Sequence, residues 1–441
     1  MGDFRKKSFW MESLGAYRGR PPLDGSTRAD VLIIGAGFTG LSTAIHLKEK
    51  RPSLKVLVLE SDVVGFGASG RNGGFSMRLF GITMELTAMR YGREKTKEAD
   101  RYMVKAVDHL ERMVQKYRIE CDYVRHGMMT VAANPRQLKH LEKEMRLAEE
   151  LGIKGLRWLT AEEARALVDS PTYLGARFDE HCALVHPVKL VRGLADAAER
   201  LGVDIRERTR VLDIRPDKSE VRTDRGIVRA DSIVIATNAF SGLFSPLRAK
   251  QLPVYTYIAL TEPLPAGQLK SLGWERRIGI EDARNLLHYY RLTPDNRLLF
   301  GGSDAIYYYG GPLDRDRNEL IFARLKRAVA ETFPQLQGIR FTHHWGGPIS
   351  ATLDLVPVIG RIRPNVWYSV GCMGHGVSLT NYNGLTIAEL LLGEESERTD
   401  FFIVGRRVTP LPPEPFRFLL AEAILRFFRY GDRKGMRAGK T

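Results

Sequence analysis

Apolar residues along the chain recur with two periods, every second residue in short runs and every third or fourth in longer ones, as strands and helices require. A short apolar run from Val31 to Ile34 is followed by a helical pattern with Leu41, Ala44 and Ile45 on one side. A second apolar run at 56–59 completes a strand–helix–strand unit. This order predicts two parallel strands joined by a crossover helix, the repeating unit of α/β folds.

The segment after this unit is mainly helical in its pattern. Residues 92–118 carry apolar side chains at i, i+3 and i+4 and predict one long helix, and residues 135–151 predict a second. A strand pair with a turn at Gly127 is predicted for residues 122–132. Thr160 begins a Thr-x-x-Glu capping-box pattern, which opens a short helix.

The second half of the chain alternates between strand and helix patterns. Helices are predicted at 187–201, 320–333 and 377–392, and strands at 203–205, 210–214, 230–239, 253–260, 286–292, 297–302 and 366–370. The strands between 253 and 302 alternate in polarity, which predicts an antiparallel sheet. We therefore expect an α/β domain on a parallel sheet and an α+β domain on an antiparallel one.

The composition is that of a globular protein large enough for two domains. The 441 residues exceed the usual size of a single hydrophobic core, and 44% of them are hydrophobic while 27% are charged. Basic residues exceed acidic ones and give a formal net charge of +15. Because they are dispersed and form no basic stripe interleaved with aromatic residues, we interpret the charge as a surface property that attracts acidic substrates. We expect no nucleic-acid partner.

Cysteine and histidine positions exclude several classes of protein. Cys121, Cys182 and Cys372 are scattered without C-x-x-C spacing, so neither a disulfide framework nor a zinc site is expected. The adjacent His343 and His344 point to opposite faces of a strand and lack a cluster of acids, so no metal site is expected there. With no secretory signal and no apolar run of about 20 residues, we expect a cytoplasmic protein.

The turn between the first strand and its helix reads Gly35-Ala-Gly37-Phe-Thr-Gly40, a G-x-G-x-x-G motif. Gly35 permits a tight turn, Gly37 lets the backbone approach a pyrophosphate, and Gly40 lets the helix pack closely against the strands. The helix N-terminus offers N–H groups to phosphates, and Glu60 after the second strand can accept hydrogen bonds from a ribose hydroxyl. The unit predicts a dinucleotide site without distinguishing NAD from FAD.

Two further glycine-rich segments favour FAD. Residues 65–75 are rich in glycine, which suits backbone lying against a flat or phosphorylated ligand. A flexible loop is the alternative, but the position directly after the ribose-binding acid favours the ligand. The turn 371–376, Gly-Cys-Met-Gly-His-Gly, precedes a second helix start. One helix start for the phosphates and another for the redox ring fit the length of FAD better than that of NAD.

The Gly35–Gly40 motif, Glu60 and the segment Gly67–Gly74 together resemble the FAD-dependent D-amino-acid oxidase, glycine oxidase and sarcosine oxidase superfamily. Within it, the sequence is most similar to the γ-glutamylputrescine oxidoreductase branch, over about residues 28–410. The W-x-G element at 345–347 and the T-x-D element at 352–354 belong to the same resemblance. It implies a Rossmann-like FAD/NAD(P)-binding domain of the glutathione-reductase type, interleaved with an antiparallel-sheet substrate domain.

The resemblance also implies a discontinuous division of the chain. The FAD-binding domain would comprise 1–90, 186–250 and 345–410, the substrate domain 91–185 and 251–344, and a C-terminal basic helical tail 411–441. The tail mixes apolar residues with Arg417, Arg426 and Arg429. We expect it to dock on its own domain or on another subunit, with peripheral contact to a membrane as the alternative.

In the family, the first glycines hold the FAD pyrophosphate, the acid holds the adenosine ribose, and the second glycine-rich loop passes the isoalloxazine ring. The G-H-G turn aims a helix N-terminus at the negative charge of the reduced ring. By resemblance, the FAD-binding residues are Gly35, Gly37, Phe38, Thr39, Gly40, Glu60, Ser61, Ala68, Ser69, Arg71, Asn72, Gly73, Gly74, Val211, Ala236, Thr237, Asn238, Asp354, Gly371, Gly374, His375, Gly376, Val377 and Ser378. No cysteine matches a covalent flavin linkage, so non-covalent FAD is expected, and Cys372 is the first residue to check.

Four residues are candidates for the catalytic site: Tyr257, Tyr289, Arg291 and His375. Strand alternation places Tyr255 and Tyr257 on one face, and Tyr289 and Arg291 on one face. An arginine among aromatic residues suits a carboxylate and an alkylamine stem, although an ordinary sheet rim has the same composition. His375 is expected to hydrogen-bond substrate or flavin, with a structural role in the turn as the alternative.

The resemblance implies an amine or amino-acid oxidase that transfers a hydride from the carbon of a C–N bond to flavin. The imine product would hydrolyse to an aldehyde or keto acid, with O2 reduced to H2O2. Three alternatives stay open. They are a flavin-dependent amine dehydrogenase that passes electrons to a quinone or partner protein, a flavin-bearing electron-transfer subunit without its own substrate, and an NAD-dependent dehydrogenase.

Overall fold

The structure, a computed structural model, describes residues 3–438, with side chains for 3–434. Its strands are β1 (Thr27–Ile34), β2 (Val56–Leu59), β3 (Phe75–Ser76), β4 (Met128–Ala132), β5 (Leu156–Thr160), β6 (Gly175–Asp179), β7 (Ala183–Leu184), β8 (Asp204–Arg206), β9 (Val211–Arg215), β10 (Glu220–Thr223), β11 (Ile227–Ile235), β12 (Leu252–Pro263), β13 (Gly279–Asp282), β14 (His288–Leu292), β15 (Arg297–Ile306), β16 (Phe341–Ala351), β17 (Val358–Arg363) and β18 (Val366–Val370). Its α-helices are α1 (Phe9–Glu12), α2 (Phe38–Lys50), α3 (Met84–Tyr117), α4 (Pro135–Glu150), α5 (Ala161–Leu167), α6 (Pro187–Arg200), α7 (Ser245–Arg248), α8 (Ala266–Leu272), α9 (Glu319–Thr332), α10 (Gly376–Leu392) and α11 (Phe416–Ala438).

The strand–helix–strand unit predicted at the start of the chain is confirmed. β1 pairs in parallel with β2, with Val31 opposite Val56 and Ile34 opposite Leu59, and α2 connects the two strands. The sheet runs in the order β17-β18-β11-β1-β2-β8, and β10 and β9 continue from β11. Its central strands are apolar and buried on both faces, because α2, α3, α6 and α10 pack on one face while Val221 of β10 and Leu247 of α7 pack on the other.

A second sheet contains the strands predicted between residues 253 and 302. It runs in the order β16-β12-β15-β14-β13-β4-β6-β5. Neighbouring strands are antiparallel except for β13 and β4, which are parallel. The predicted combination of a Rossmann-like α/β part with an antiparallel-sheet part is therefore confirmed.

The strand pair predicted within residues 122–132 is wrong. Val124 forms an isolated bridge with Leu184, whereas β4 pairs with β13 on one side and β6 on the other. Gly127 has φ +83° but does not form the predicted turn, since its N–H donates to the distant Cys182 carbonyl at 3.2 Å and the chain continues into β4. The partners of β4 come from distant parts of the chain, and two full ladders offer more hydrogen bonds than one short local hairpin.

The long predicted helix is longer than expected at its N-terminus. α3 begins at Met84, and Gly92 interrupts it with φ +84° and ψ 170°. Beyond this break the predicted apolar stripe is buried, with Ala99, Met103 and Ala106 fully inaccessible. α4 and α5 occur as predicted, and α5 has both hydrogen bonds of the capping box.

The protein has two main hydrophobic cores, and each lies against one of the two sheets. One lies between the parallel sheet and helices α2, α3, α6 and α10, and the other between the antiparallel sheet and α9. The predicted domain boundary at residue 345 falls inside β16, because this strand crosses the antiparallel sheet before the chain returns to the parallel one at β17. The remainder of the domain division stays a prediction.

The C-terminal helix α11 packs on its own chain. It contacts α4 and β15 and buries Ala421 and Leu425. Its opposite side exposes the large apolar residues Phe416, Leu419, Phe427 and Tyr430. Within residues 3–438, no helix is long and apolar enough to cross a membrane. Peripheral contact between the tail and a membrane stays a prediction.

Candidate active site

The glycine motif forms a close junction between β1 and α2. Gly35 has φ +105°, and a methyl group on Gly40 would lie 2.0 Å from the carbonyl oxygen of Gly35. Gly37 occupies the N-cap of α2 and supplies no side-chain cap. The N–H of Phe38 donates to Ser69 Oγ at 3.0 Å, which brings the second glycine-rich loop onto the first. This bond takes up the Phe38 N–H, but because Gly37 supplies no side-chain cap, the next N–H groups of the first turn can receive a phosphate.

Glu60 lies beside this turn at the carboxyl end of β2. Its Oε2 accepts from the Ala36 N–H at 3.0 Å, and its Oε1 accepts from Ser61 Oγ at 3.2 Å. Burial raises the pKa of the carboxyl group. The Glu60 carbonyl accepts from the Thr209 N–H at 2.9 Å, which brings the start of β9, where Val211 stands, to the same edge. Glu60, Ser61 and Val211 thus lie at the same edge of the sheet, and their contact with adenosine stays a prediction.

The second glycine-rich loop is rigidly held, which argues against the flexible-loop alternative. Asn72 Nδ2 donates to the Ala68 carbonyl at 2.9 Å, and its Oδ1 accepts from the Gly74 N–H at 2.8 Å. The indole N–H of Trp10 donates to the Asn72 carbonyl at 2.8 Å, and that of Trp345 donates to the Arg71 carbonyl at 2.9 Å.

A narrow cavity of about 30 Å³ separates the α2 start from the last strand of the parallel sheet. Its lining residues include the predicted cofactor residues Gly37, Phe38, Thr39, Ser69, Ala236 and Asn238, together with Cys372. Asn238 is held with φ +48° and accepts from the Ser350 N–H at 3.0 Å. Thr237 does not line this cavity; its hydroxyl bonds Ser241 Oγ at 2.8 Å.

A larger cavity of about 290 Å³ lies between the second glycine-rich loop, the start of α10 and the antiparallel sheet. Its predicted cofactor residues are Ala68, Arg71, Asn72, Gly73, Gly374, His375 and Val377. Apolar side chains form most of the remaining surface, as ligand cavities commonly have. The predicted ring-binding loop and the predicted helix start therefore meet at one cavity, although their role in binding the ring stays a prediction.

His375 is the N-cap of α10 and faces the large cavity. Its side chain does not cap the helix, and its buried Nδ1 has no hydrogen-bond partner among the described residues. Burial lowers the pKa of His375 to about 4, so the ring is neutral near pH 7. The neutral ring lines the cavity, but its unpartnered Nδ1 is itself buried, so a hydrogen bond from His375 to substrate or flavin stays a prediction.

Tyr289 is the second predicted catalytic residue that lines the cavity. Its ring packs directly against Gly301 and Gly73. A methyl group added to Gly301 would lie 2.4 Å from the Tyr289 ring, and one added to Gly73 would lie 2.9 Å from it. Burial raises the pKa of the Tyr289 hydroxyl well above its usual range, so the hydroxyl stays protonated. Tyr289 can therefore donate or accept a hydrogen bond but does not act as a base at neutral pH.

The prediction for Tyr257 is corrected by its orientation. It shares a face with Tyr255 as expected, but this face lies in the core under α9, and Thr256 and Ile258 face the cavity instead. The Tyr257 hydroxyl bonds the Tyr308 hydroxyl at 2.8 Å. A period of two residues predicts which residues share a face but not which face meets the ligand.

Arg291 is likewise not available to a substrate. Its Nη1 donates to the carbonyls of Val185 at 2.8 Å and Gly74 at 3.2 Å, and the residue is 2% exposed. Burial without a carboxylate partner lowers the pKa of Arg291 to about 10. The guanidinium instead holds the backbone of the second glycine-rich loop. Contrary to the prediction, it does not bind a substrate carboxylate.

Two predicted cofactor residues also lie away from both cavities. Asp354 forms an ion pair with Arg406, and its neighbours Leu353 and Leu355 line the large cavity in its place. Ser378 is fully buried and its hydroxyl donates to the Met77 carbonyl at 2.8 Å. The remaining glycines, Gly35, Gly40, Gly74, Gly371 and Gly376, shape the turns without lining a cavity.

Sequence reasoning missed two contributors to the large cavity. The first is α11, which contributes Ala421, Ile424, Leu425 and Phe428. Their helical spacing is visible in the sequence, but nothing there indicates which surface they cover. The second is Glu281 of β13, one of two adjacent acids at the end of that strand, where Asp282 follows it.

The residues present fit an extended dinucleotide that ends in a flat ring. Two helix starts without side-chain caps face two neighbouring cavities, and the glycines at the first start leave no room for side chains. An acid stands at the ribose end, and an unpartnered imidazole nitrogen stands at the other. This donor set suits FAD.

Comparison with known proteins agrees with this geometry. The family model described as FAD dependent oxidoreductase (DAO) matches residues 30–390. The chain is 36% identical to γ-glutamylputrescine oxidoreductase of Escherichia coli (strain K12) over 412 residues, which are 93% of this chain and 92% of that relative. It is 33% identical to a probable oxidoreductase of Haemophilus influenzae over 404 residues, 90% of each chain.

Among solved structures, glycine oxidase from Geobacillus kaustophilus superposes with a TM-score of 0.72 at 22% identity, covering 87% of this chain and all of that one. This likeness concerns the fold. The family match and the two relatives extend through both glycine-rich segments and both sheets. The chain therefore belongs to the FAD dependent oxidoreductase family, and FAD is its cofactor.

Proposed function

We propose that this protein is an amine or amino-acid oxidase that oxidises a C–N bond of a small substrate. The carbon next to nitrogen loses a hydride, the resulting imine hydrolyses to an aldehyde or keto acid, and O2 takes up the electrons and becomes H2O2. Bound FAD supplies the hydride acceptor. The names of two similar proteins refer to γ-glutamylputrescine and to glycine, both amino compounds.

One observation carries this proposal. The large cavity is bounded on one side by the second glycine-rich loop and the start of α10, and on the others by apolar side chains of the antiparallel sheet and α11. A small substrate in this space would lie directly against the two segments that resemble the ring-binding segments of the family. The apolar surroundings exclude bulk water from the reacting carbon.

The chain's own residues would bind and orient the substrate. His375 and Tyr289 both face the cavity in neutral form and offer hydrogen bonds without taking a proton at pH 7. A hydride transfer from a neutral amine needs no catalytic acid or base at the carbon, so two neutral hydrogen-bonding groups suffice.

Non-covalent FAD is part of the proposal. Cys372 lines the narrow cavity rather than the large one. Burial raises the pKa of its thiol, which keeps it protonated and unreactive.

An anaerobic flavin-bleaching screen tests the proposed function. Polyamines, γ-glutamylated amines, N-methyl amino acids, D-amino acids and aminophosphonates are added to the purified holoenzyme, and loss of the yellow colour identifies the substrate. Admitting air should then restore the colour with formation of peroxide. A holoenzyme that no amino compound bleaches contradicts the proposal and favours an electron-transfer subunit without its own substrate.

A second candidate function is a dehydrogenase that passes electrons to a quinone or a partner protein. The exposed apolar side of α11, with Phe427 73% and Tyr430 66% accessible, favours it because such a surface suits a membrane or a partner. Bleaching by an amine that air does not reverse, but an added quinone does, would support this candidate over the oxidase.

A further inference from the structure

We propose that the carboxylate of Glu281 binds the ammonium group of the substrate, so that the cavity selects cationic amines. This inference rests on the proposed function and adds the residue that recognises the charge. Glu281 stands on β13 directly opposite Tyr289 on β14, and both line the large cavity. A substrate held at Glu281 therefore lies next to the ring of Tyr289, which borders the second glycine-rich loop.

The Glu281 carboxylate is buried, and only one of its two oxygens accepts a hydrogen bond from the described part of the chain. The residue is 4% exposed, and Oε1 accepts from Thr130 Oγ1 at 3.0 Å. Among the described residues, no donor bonds Oε2 and no cation lies within 4.0 Å of the carboxylate. One oxygen is thus left for a ligand that enters the cavity.

Arg177 lies near enough for its charge to favour ionised Glu281, but it forms no ion pair with that carboxylate. Arg177 of β6 pairs with Glu144 at 2.8 Å, and it donates to Thr130 at 3.2 Å rather than to Glu281. A buried carboxylate without a counter-ion is costly, and burial raises the pKa of Glu281 to about 7. An ammonium group in the cavity would place positive charge beside the carboxylate, and its proton would pass to that carboxylate before the neutral amine loses the hydride.

The other charged residues that line the cavity have partners of their own. Asp304 pairs with Arg324 and Arg429, each at 3.0 Å. Arg71, the one lining cation within the described part of the chain, pairs with Asp316 at 2.6 Å. Among the described residues that line the cavity, Glu281 is therefore the charged group that still has an oxygen free to accept a hydrogen bond. Among those same residues, no guanidinium is free to bind a substrate carboxylate. This charge pattern favours amines over α-amino acids.

Binding of a non-oxidisable ammonium ion tests the inference without turnover. tert-Butylammonium has no hydrogen on the carbon that bears nitrogen, and tert-butanol is its neutral counterpart of the same shape. Calorimetry on the holoenzyme at pH 8 should find the ammonium ion bound at least tenfold more tightly than the alcohol. Equal affinities would overturn the inference whatever the bleaching screen shows.

A variant then assigns the effect to Glu281. Glu281→Gln should weaken tert-butylammonium binding about 30-fold or more and leave tert-butanol binding unchanged. Glu262→Gln is the matched control, since Glu262 belongs to the same sheet but pairs with the exposed Arg340 at its rim. An ammonium affinity of Glu281→Gln equal to that of wild type would show that Glu281 is structural. If this variant yields no holoenzyme, the comparison of the two ligands on wild type decides alone.

Discussion

Arg429 of α11 donates a hydrogen bond from Nε to Asp304 of β15 at 3.0 Å, and this pair fastens the C-terminal helix across the large cavity. Further along, the carboxylate of Asp432 accepts from the backbone N–H groups of Asn285 and Leu286 at 2.9 and 3.0 Å. Polar contacts thus hold the helix at the cavity rim while its apolar side chains complete the interior surface.

Replacing Arg429 by Ala should loosen α11 without unfolding the protein. Asp304 keeps Arg324 as a partner, so the loss should be about 1 kcal/mol and local to the helix. We expect faster amide hydrogen exchange in residues 416–438 and a several-fold higher KM for the amine substrate. Arg426→Ala is the control, because Arg426 is 77% exposed and contacts only Glu422 on the same helix. Equal exchange in the two variants would contradict this role of Arg429.

A methyl group on Gly40 should impair FAD binding. It would lie 2.0 Å from the Gly35 carbonyl and force β1 and α2 apart, at a cost of about 1–3 kcal/mol. We expect Gly40→Ala to purify with a lower ratio of flavin to protein absorbance and a lower Tm. Gly267→Ala serves as the control, since no atom lies within 4 Å of the added methyl group and its φ is not positive. A full flavin content in Gly40→Ala would show that this junction tolerates expansion.

His375 should make the protein less stable in mild acid. Its pKa is lowered from 6.5 to about 4 in the folded state, so below pH 6.5 the unfolded chain binds a proton that the folded chain does not. Between pH 7 and pH 5 the free energy of unfolding should fall by at most about 2 kcal/mol through this group, since the ring is partly exposed to the cavity. Urea unfolding of wild type and His375→Gln at both pH values measures the effect. An identical pH dependence in the variant would contradict it.

FAD should be released when the protein is precipitated with acid. The buried Cys372 thiol is protonated and faces the narrow cavity, so no covalent link to the ring is expected. A yellow supernatant over a colourless pellet is the expected result, and Cys372→Ser should retain its full flavin content. A yellow pellet would demonstrate a covalent bond.

Structural features formed by residues that are close to one another in the sequence were predicted correctly. The parallel pairing of β1 with β2 and the turn at Gly35 follow from one short segment, because glycine spacing and apolar runs constrain the backbone locally. The capping box at Thr160 was predicted for the same reason, since its two hydrogen bonds span a single helical turn.

Contacts between residues that are far apart in the sequence were not predictable. Arg291 looked suited to a substrate carboxylate, but its guanidinium meets the Gly74 and Val185 carbonyls, which are far away along the chain. Tyr257 shares the expected face with Tyr255, yet the position of α9 turns that face into the core. The missed Glu281 has no local signature, because the sequence does not show which of the adjacent acids Glu281 and Asp282 meets a cavity and which pairs with its neighbours.

The placement of α11 has a practical consequence for laboratory work. The family match ends at residue 390, whereas this helix begins at Phe416 and still contributes to the surface of the large cavity. Cleavage within this helix would therefore remove part of the cavity surface. Substrate profiles measured on C-terminally tagged preparations should therefore be repeated on untagged protein.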